Sequence, residues 1–386
     1  MCHFFKLNKR MLRIINILLA LSCSFNCIAA EEEWVIRGNQ SLLKAHGIEF
    51  KTGQHGYSFI DEDNLAKLES LESHGHAHWQ VMPYSKFKPI QKSAAVRQAA
   101  DPNITALLNQ LNTDNWLNDV TTLTGWNRVT GSNDNDSAKD WIVNKMEALN
   151  LTVSTPQFSV VSRTTHNIMG EQIGSTRPGD WYVIGAHMDS IPNSGNAPGA
   201  LDNASGCAAV LEMARVASMF EFEASLLFIC YSGEEQGLNG SYHHVGSMNQ
   251  TERNQIKAAL TMDMIGYTDN NDHDLLLETS NAQQAIMQHL EQMAATYVPE
   301  LTVYTSLNPF GSDHMPYIEN NMPGILSIDD DWDQYDDYHR STDLPENLNN
   351  DQALYIIKTN LAALTSLATL IDTDLIFKTS FEAPNS

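Results

Sequence analysis

The stretch Leu226-Leu227-Phe228-Ile229-Cys230-Tyr231-Ser232-Gly233-Glu234-Glu235-Gln236-Gly237-Leu238 decides the fold. Residues 226–231 are an unbroken apolar run that ends in a small polar turn. Such a run reads as a strand buried on both faces, and strands of that kind belong to parallel sheets covered by helices. Two adjacent glutamates directly after a buried strand are not explained by solubility. One suits a metal ligand and its neighbour a proton carrier.

The flanking segments alternate in the same way. Helices are expected over 137–149, 206–220, 282–297 and 351–370. In the first of these Trp141, Ile142, Met146 and Leu149 share one face. Short apolar strands are expected at 181–186, 258–262, 275–277, 301–304 and 325–328. Apolar strands alternating with helices predict an α/β domain with a central, mostly parallel (mixed) sheet flanked by helices. Ligands in such sheets bind beyond the strand C-termini.

Composition excludes several classes. The chain has 386 residues, 47 Asp plus Glu, 23 Lys plus Arg and a formal charge of −24. That charge repels phosphates, so neither nucleic acid nor an anionic membrane is expected as a partner. The chain is 42% hydrophobic and 18% charged, the balance of a folded protein. Five Cys in this length make no disulfide-dense scaffold.

The first thirty residues read as an address. Lys6, Lys9, Arg10 and Arg13 precede an apolar stretch that ends in Ala29-Ala30 before Glu31-Glu32-Glu33. This is the pattern of a secretory signal peptide cut near Ala30, and the apolar stretch is too short and polar-studded for a membrane span. Removing those four cations takes the formal charge from −24 to −28 and leaves only Cys207 and Cys230. An exported chain can oxidise that pair, but two buried free thiols are the expectation.

Residues 31–89 look like a small separate unit, with a strand near Phe59-Ile60 leading into a helix that carries Leu65, Leu68 and Leu71. His74-Gly75-His76-Ala77-His78 would share a strand face, but a solvated loop is favoured over a metal site for want of other ligands. Residues 93–102 are small and polar, as in a linker. The expected organisation is a signal peptide at 1–30, a pro-segment and linker at 31–100, a catalytic domain at 101–374 and a C-terminal tail at 375–386. That order is the order of a secreted zymogen activated by a protease.

Candidate site residues cluster just after strands. His187 and Asp189 leave the strand at 181–186. Asp202 sits in the loop Gly199-Ala200-Leu201-Asp202-Asn203-Ala204-Ser205-Gly206, where its bland role is a helix cap. Glu234 and Glu235 follow the central strand, and Asp263 follows Met262. His339 lies in Tyr338-His339-Arg340-Ser341-Thr342-Asp343. Each alone is weak. Besides Asp189, they supply two imidazoles, three carboxylates and a spare Glu, which is the donor set of a dinuclear zinc site with a general base.

In His187-Met188-Asp189, Leu201 to Gly206, Ser232 to Ser241, Met262 to Tyr267, Ser312-Asp313-His314 and Tyr338 to Asp343, the chain resembles the co-catalytic zinc aminopeptidases, of the bacterial secreted leucyl aminopeptidase type. The resemblance covers roughly residues 103–370. It implies a fold of the zinc exopeptidase type with two Zn2+ per chain. Asp202 would bridge, His187 and Asp263 would complete one zinc, and Glu235 and His339 the other. Glu234 would be the general base of a metal-bridging hydroxide, and Asp189 would orient His187. The implied substrates are peptide and protein N-termini, with the free α-ammonium held by the site carboxylates. The small N-terminal unit would be an inhibitory pro-segment, and the mature enzyme a secreted monomer that passes through the periplasm, with no membrane attachment once its signal is removed.

Two features depart from that pattern or add to it. Relatives place an oxyanion-contacting Tyr and two Cys upstream of the Ser-Asp-His motif, whereas here Leu307-Asn308-Pro309-Phe310-Gly311 has neither. Tyr304, Tyr317, Tyr335 and Tyr338 are the alternatives. The run from Asp329 to Asp337 is acidic and aromatic. It reads as a solvated loop or a calcium site, or else as an acidic rim that favours Lys or Arg at the substrate N-terminus. The rival readings of the whole chain are a glutaminyl cyclase of the same fold and a non-catalytic ectodomain.

Overall fold

The structure is a computed structural model that describes residues 34–72, 79–192, 194–270 and 272–371. The signal-peptide reading, the His74 to His78 motif and the tail at 375–386 lie outside the described residues. Among the described residues no helix is long and apolar enough to cross a membrane.

The N-terminal unit is a four-stranded sheet of β1 (Trp34–Gly38), β2 (Lys51–Thr52), β3 (Tyr57–Ile60) and β4 (Trp79–Pro83), in the order β2-β3-β1-β4. The helices Gln40–Ala45 and Glu62–Glu72 pack on it, and Ile36, Leu43, Ile60 and Leu68 form its core. Asn39 caps the first helix by accepting the Leu42 N–H.

The large sheet contains β5 (Gln91–Lys92), β6 (Thr152–Ser154), β9 (Ile168–Gln172), β10 (Arg177–His187), β11 (Ala224–Tyr231), β12 (Ile256–Asp263), β13 (Asp274–Glu278), β14 (Thr302–Ser306) and β15 (Gly324–Ile328). A separate hairpin is made by β7 (Gln157–Val160) and β8 (Arg163–His166). The nine strands run in the order β5-β14-β13-β15-β12-β10-β11-β9-β6. The central four, β15-β12-β10-β11, are mutually parallel. Antiparallel pairs on both flanks make the sheet mixed, as expected.

The central strands alternate between two cores, which explains their continuous apolar reading. Ile184, Leu226 and Phe228 face the helices Ser205–Ala217 and Asn350–Ala368. Val183, Leu227 and Ile229 face the opposite layer with Val245 and Tyr317. Each such fully buried side chain contributes about 1.5–3 kcal/mol.

Two expectations are corrected. Cys207 and Cys230 are bonded to each other, joining the helix Ser205–Ala217 to β11 with Cα atoms 5.8 Å apart, instead of standing as free thiols. The acidic run after β15 is not a solvated loop, since Asp329, Asp330, Asp331 and Asp333 are all buried. It forms the floor on which the N-terminal unit rests. Gln40 donates to Asp333 at 2.8 Å, Ser41 donates to Asp336, and His55 Nδ1 lies 2.6 Å from Asp330. Asp274, Asp330 and Asp331 also bring carboxylate oxygens within 4.8 Å of one another. Of the expected linker 93–102, residues 93–101 have no helix or strand and Pro102 begins the helix Pro102–Leu108. β5 just before the linker pairs with β14, so the N-terminal segment adds a strand to the large sheet.

Candidate metal centre

Three adjacent parallel strands deliver the site at their C-terminal ends. β10 ends on His187, β12 ends on Asp263, and β11 ends on Tyr231 just before Glu234 and Glu235. Asp202 comes from the loop before the helix Ser205–Ala217, and His339 from the loop after β15. The backbones of Met264 (φ 47) and His339 (φ 57) are left-handed, an uncommon conformation for non-glycine residues that is held here by the surrounding loops.

All five expected metal ligands come together. Asp202 Oδ1 is 3.2 Å from His187 Nε2, and its Oδ2 is 3.0 Å from His339 Nε2. His187 Nε2 is 3.3 Å from Asp263 Oδ1, and His339 Nε2 is 3.2 Å from Glu235 Oε2. Four tetrahedral ligands at about 2.0–2.1 Å from zinc are separated by about 3.3 Å. The spacing of the donors therefore fits a metal. Glu235 Oε1 is a further buried oxygen with no hydrogen-bond partner among the described residues. His187, Asp202 and Glu235 together satisfy the geometry of a metal-holding group.

The electrostatics agree. Burial works against protonating His187, but Asp263 and Glu234 outweigh it and raise its pKa well above the usual value. Burial likewise opposes the proton on His339, yet Glu235 and Asp202 push it up to about 10. Burial and neighbouring acids raise Glu234 strongly and Glu235 to about 7. So many buried acids in one place require positive charge, from protons or from a metal.

The supporting residues were only partly visible in the sequence. Asp189 is fully buried, and its backbone carbonyl lies 3.1 Å from His187 Nδ1. Its carboxylate accepts from Thr130 Oγ1 at 2.8 Å. Asp343, which closes the Tyr338 to Asp343 motif, accepts from the N–H of Leu201 at 2.8 Å and of Asp202 at 3.1 Å. Ser312 donates to Asp263 Oδ2 at 2.8 Å. The helix-cap role suggested for Asp202 is not filled by it: the capping position is Ala204, and the side-chain contact to the first turn comes from Asn203, whose Oδ1 accepts the Gly206 N–H at 2.8 Å. A side chain at Gly206 would collide with Asn203 and with the Met262 carbonyl.

A pocket of about 350 Å³ opens over these residues, lined by Asp202, Glu234, Glu235 and Asp263. Of the four candidate tyrosines only Tyr338 lines it. Tyr317 pairs with the Tyr231 hydroxyl at 2.6 Å, Tyr335 donates to Asp343, and the Tyr304 ring packs against His55. None of the aspartates of the acidic run lines the pocket, which takes Trp332 from that segment.

Comparisons with known proteins agree with the geometry. Residues 167–364 match the model of peptidase family M28. A probable leucine aminopeptidase of Arthroderma otae is 29% identical over 354 residues, covering 88% of each chain. The LapA aminopeptidase of Legionella pneumophila superposes with a TM-score of 0.64 at 22% identity, over 88% of this chain and 99% of that one. A glutaminyl cyclase of Macrostomum lignano shares the fold, with a TM-score of 0.61 at 19% identity over 73% of this chain and 97% of that one. With its residues 167–364 matching that family's model and its donor set assembled at three strand ends, the chain belongs to peptidase family M28 and is a metalloaminopeptidase.

Proposed function

We propose that the chain is an exported zymogen whose mature part removes N-terminal residues from peptides and proteins with two zinc ions. The observation that carries this reading is Asp202, whose two oxygens face two separate His–carboxylate pairs. His187 and Asp263 would hold one ion, His339 and Glu235 the other, and Asp202 would serve both. When bound, zinc supplies a water of lowered pKa and a Lewis acid for the scissile carbonyl.

The chain's own groups do the rest. Glu234 is the general base, and its Oε2 lies 4.0 Å from His187 Nε2 at the mouth of the donor cluster. It takes the proton of the attacking water and hands it to the leaving amine nitrogen. Asp189 positions His187 from behind. The carboxylates around the site pair with the substrate's α-ammonium, which restricts cleavage to chain ends. Tyr338 is the remaining tyrosine candidate for a contact to the developing oxyanion.

In this reading residues 1–30 are the leader, 31–100 the pro-segment with its linker, 101–374 the peptidase domain and 375–386 a tail. The mature enzyme is a secreted monomer, released by an activating protease. The docking of the N-terminal unit over the pocket supports inhibition by that unit, since Arg37 of β1 is one of the pocket's lining residues.

The test is the release of free amino acid from aminoacyl amides before and after limited proteolysis, with and without a chelator. Chelator-sensitive release that rises on proteolysis is expected. Cyclisation of N-terminal glutamine without amino-acid release would instead favour the cyclase reading. No chelator-sensitive activity at all would favour a non-catalytic ectodomain.

A further inference from the structure

Arg37 and Glu278 are 241 residues apart in sequence and form an ion pair, with side chains 2% and 0% exposed. Arg37 belongs to the N-terminal unit, whereas Glu278 ends β13 of the large sheet. Arg37 lines the same pocket as Asp202, Glu234, Glu235 and Asp263. The other walls are largely apolar, with Met264, Phe310, Ile328 and Trp332 among them. The guanidinium lies 5.4 Å from the Trp332 ring centroid, within cation–π range.

This is the environment that a long cationic side chain needs. The walls take methylenes, an aromatic face takes the cation, and a carboxylate receives its charge. Glu278 is held for that task by the sheet and by the Phe310 N–H, which donates to its Oε1 at 2.8 Å. Arg37 donates to the other oxygen, Oε2, and Tyr57, also from the N-terminal unit, approaches that oxygen at 3.5 Å. Both leave if the N-terminal unit leaves. His314 Nε2 is 3.8 Å from Oε1 and fully buried, and burial is the larger of the causes that hold that imidazole low, a cause that does not come from Arg37. Glu278 does not itself line the pocket but sits behind Arg37, which does, and departure of Arg37 leaves it a buried acid without its cation.

We propose that Glu278 is the specificity-determining residue for a cationic N-terminal side chain, arginine or lysine, and that Arg37 is the intramolecular stand-in that fills its place in the zymogen. The inference rests on the aminopeptidase reading and on removal of the N-terminal unit. It also relocates the source of basic specificity. The acidic run at 329–337 serves the docked unit, whereas Glu278 serves the pocket.

The experiment compares arginine amide with citrulline amide on the processed, zinc-loaded enzyme. Citrulline has nearly the same shape without the charge. A site built to pair a buried charge rejects the uncharged analogue strongly, here expected at about 100-fold or more in kcat/KM. Glu278→Gln is expected to bring that ratio to within a few-fold of one. Equal rates on the two amides by the wild-type enzyme overturn the proposal, and so does discrimination that survives Glu278→Gln. The first comparison needs no variant, so a Glu278→Gln protein that fails to fold does not block the test. Leucine amide is the control. If leucine amide is cleaved and arginine amide is not, the specificity proposal falls alone. If no amide is cleaved, the aminopeptidase reading falls and takes this one with it.

Discussion

The Oδ1 of Asp189 accepts the backbone N–H of Glu234 at 3.3 Å, while its Oδ2 accepts that of Glu235 at 3.3 Å. One buried carboxylate at the end of β10 thus anchors both glutamates at the end of β11, and the same residue's carbonyl reaches His187. Asp189→Asn places an amide NH2 against one of those N–H groups. The variant is expected to lose about 10- to 100-fold in kcat and in zinc affinity. Steady-state kinetics with a metal titration checks this, and unchanged values for both would remove the positioning role.

Glu234→Gln removes the proton carrier and leaves the five donors untouched. Turnover is expected to fall by roughly 10²- to 10⁴-fold with zinc content unchanged. A near-normal rate at full metal content would reassign the base.

Metal stoichiometry separates the roles of the ligands. Elemental analysis of the wild-type protein is expected to give two zinc ions per chain, His339→Ala about one, and Asp202→Ala fewer than either, because Asp202 faces both imidazoles. A wild-type content of one would remove the dinuclear assignment.

His244 sets part of the acid limit. It is buried near the rings of Tyr231 and Tyr317, and burial with His243 holds its pKa down to about 4. The unfolded chain binds that proton first as pH falls below about 6.5. Stability is therefore lost between about pH 6.5 and pH 4, by roughly 3 kcal/mol. Thermal melts of His244→Phe against pH are expected to fall less steeply across that window than those of the wild type. Parallel curves would show that another group dominates.

The disulfide gives a direct count. A leaderless chain carries only Cys207 and Cys230, which are bonded to each other. Thiol titration in denaturant without reductant is expected to find none, and two after reduction. Two before reduction would restore the free-thiol reading.

Much of this was legible in the sequence, for physical reasons. A strand buried on both faces must be apolar throughout, so 226–231 was readable and lies within Ala224–Tyr231. Strand-end acids and histidines stand out because nothing in packing calls for them. The short strands β4 and β6 to β9 carried weaker patterns, since their faces are partly exposed. The acidic run misled because charge usually means solvent, whereas here Asp329 and Asp331 turn inward to accept from Tyr267, Gln352 and Asp269, and Asp330 and Asp333 meet the docked unit.

The sequence by itself determined the α/β alternation and the strand-end position of the candidate residues, because burial and turn chemistry are local. Only the tertiary structure decided which oxygen of Asp202 meets which histidine, that Cys207 meets Cys230, and that Arg37 meets Glu278. Those meetings depend on strand order and register, which no local pattern records.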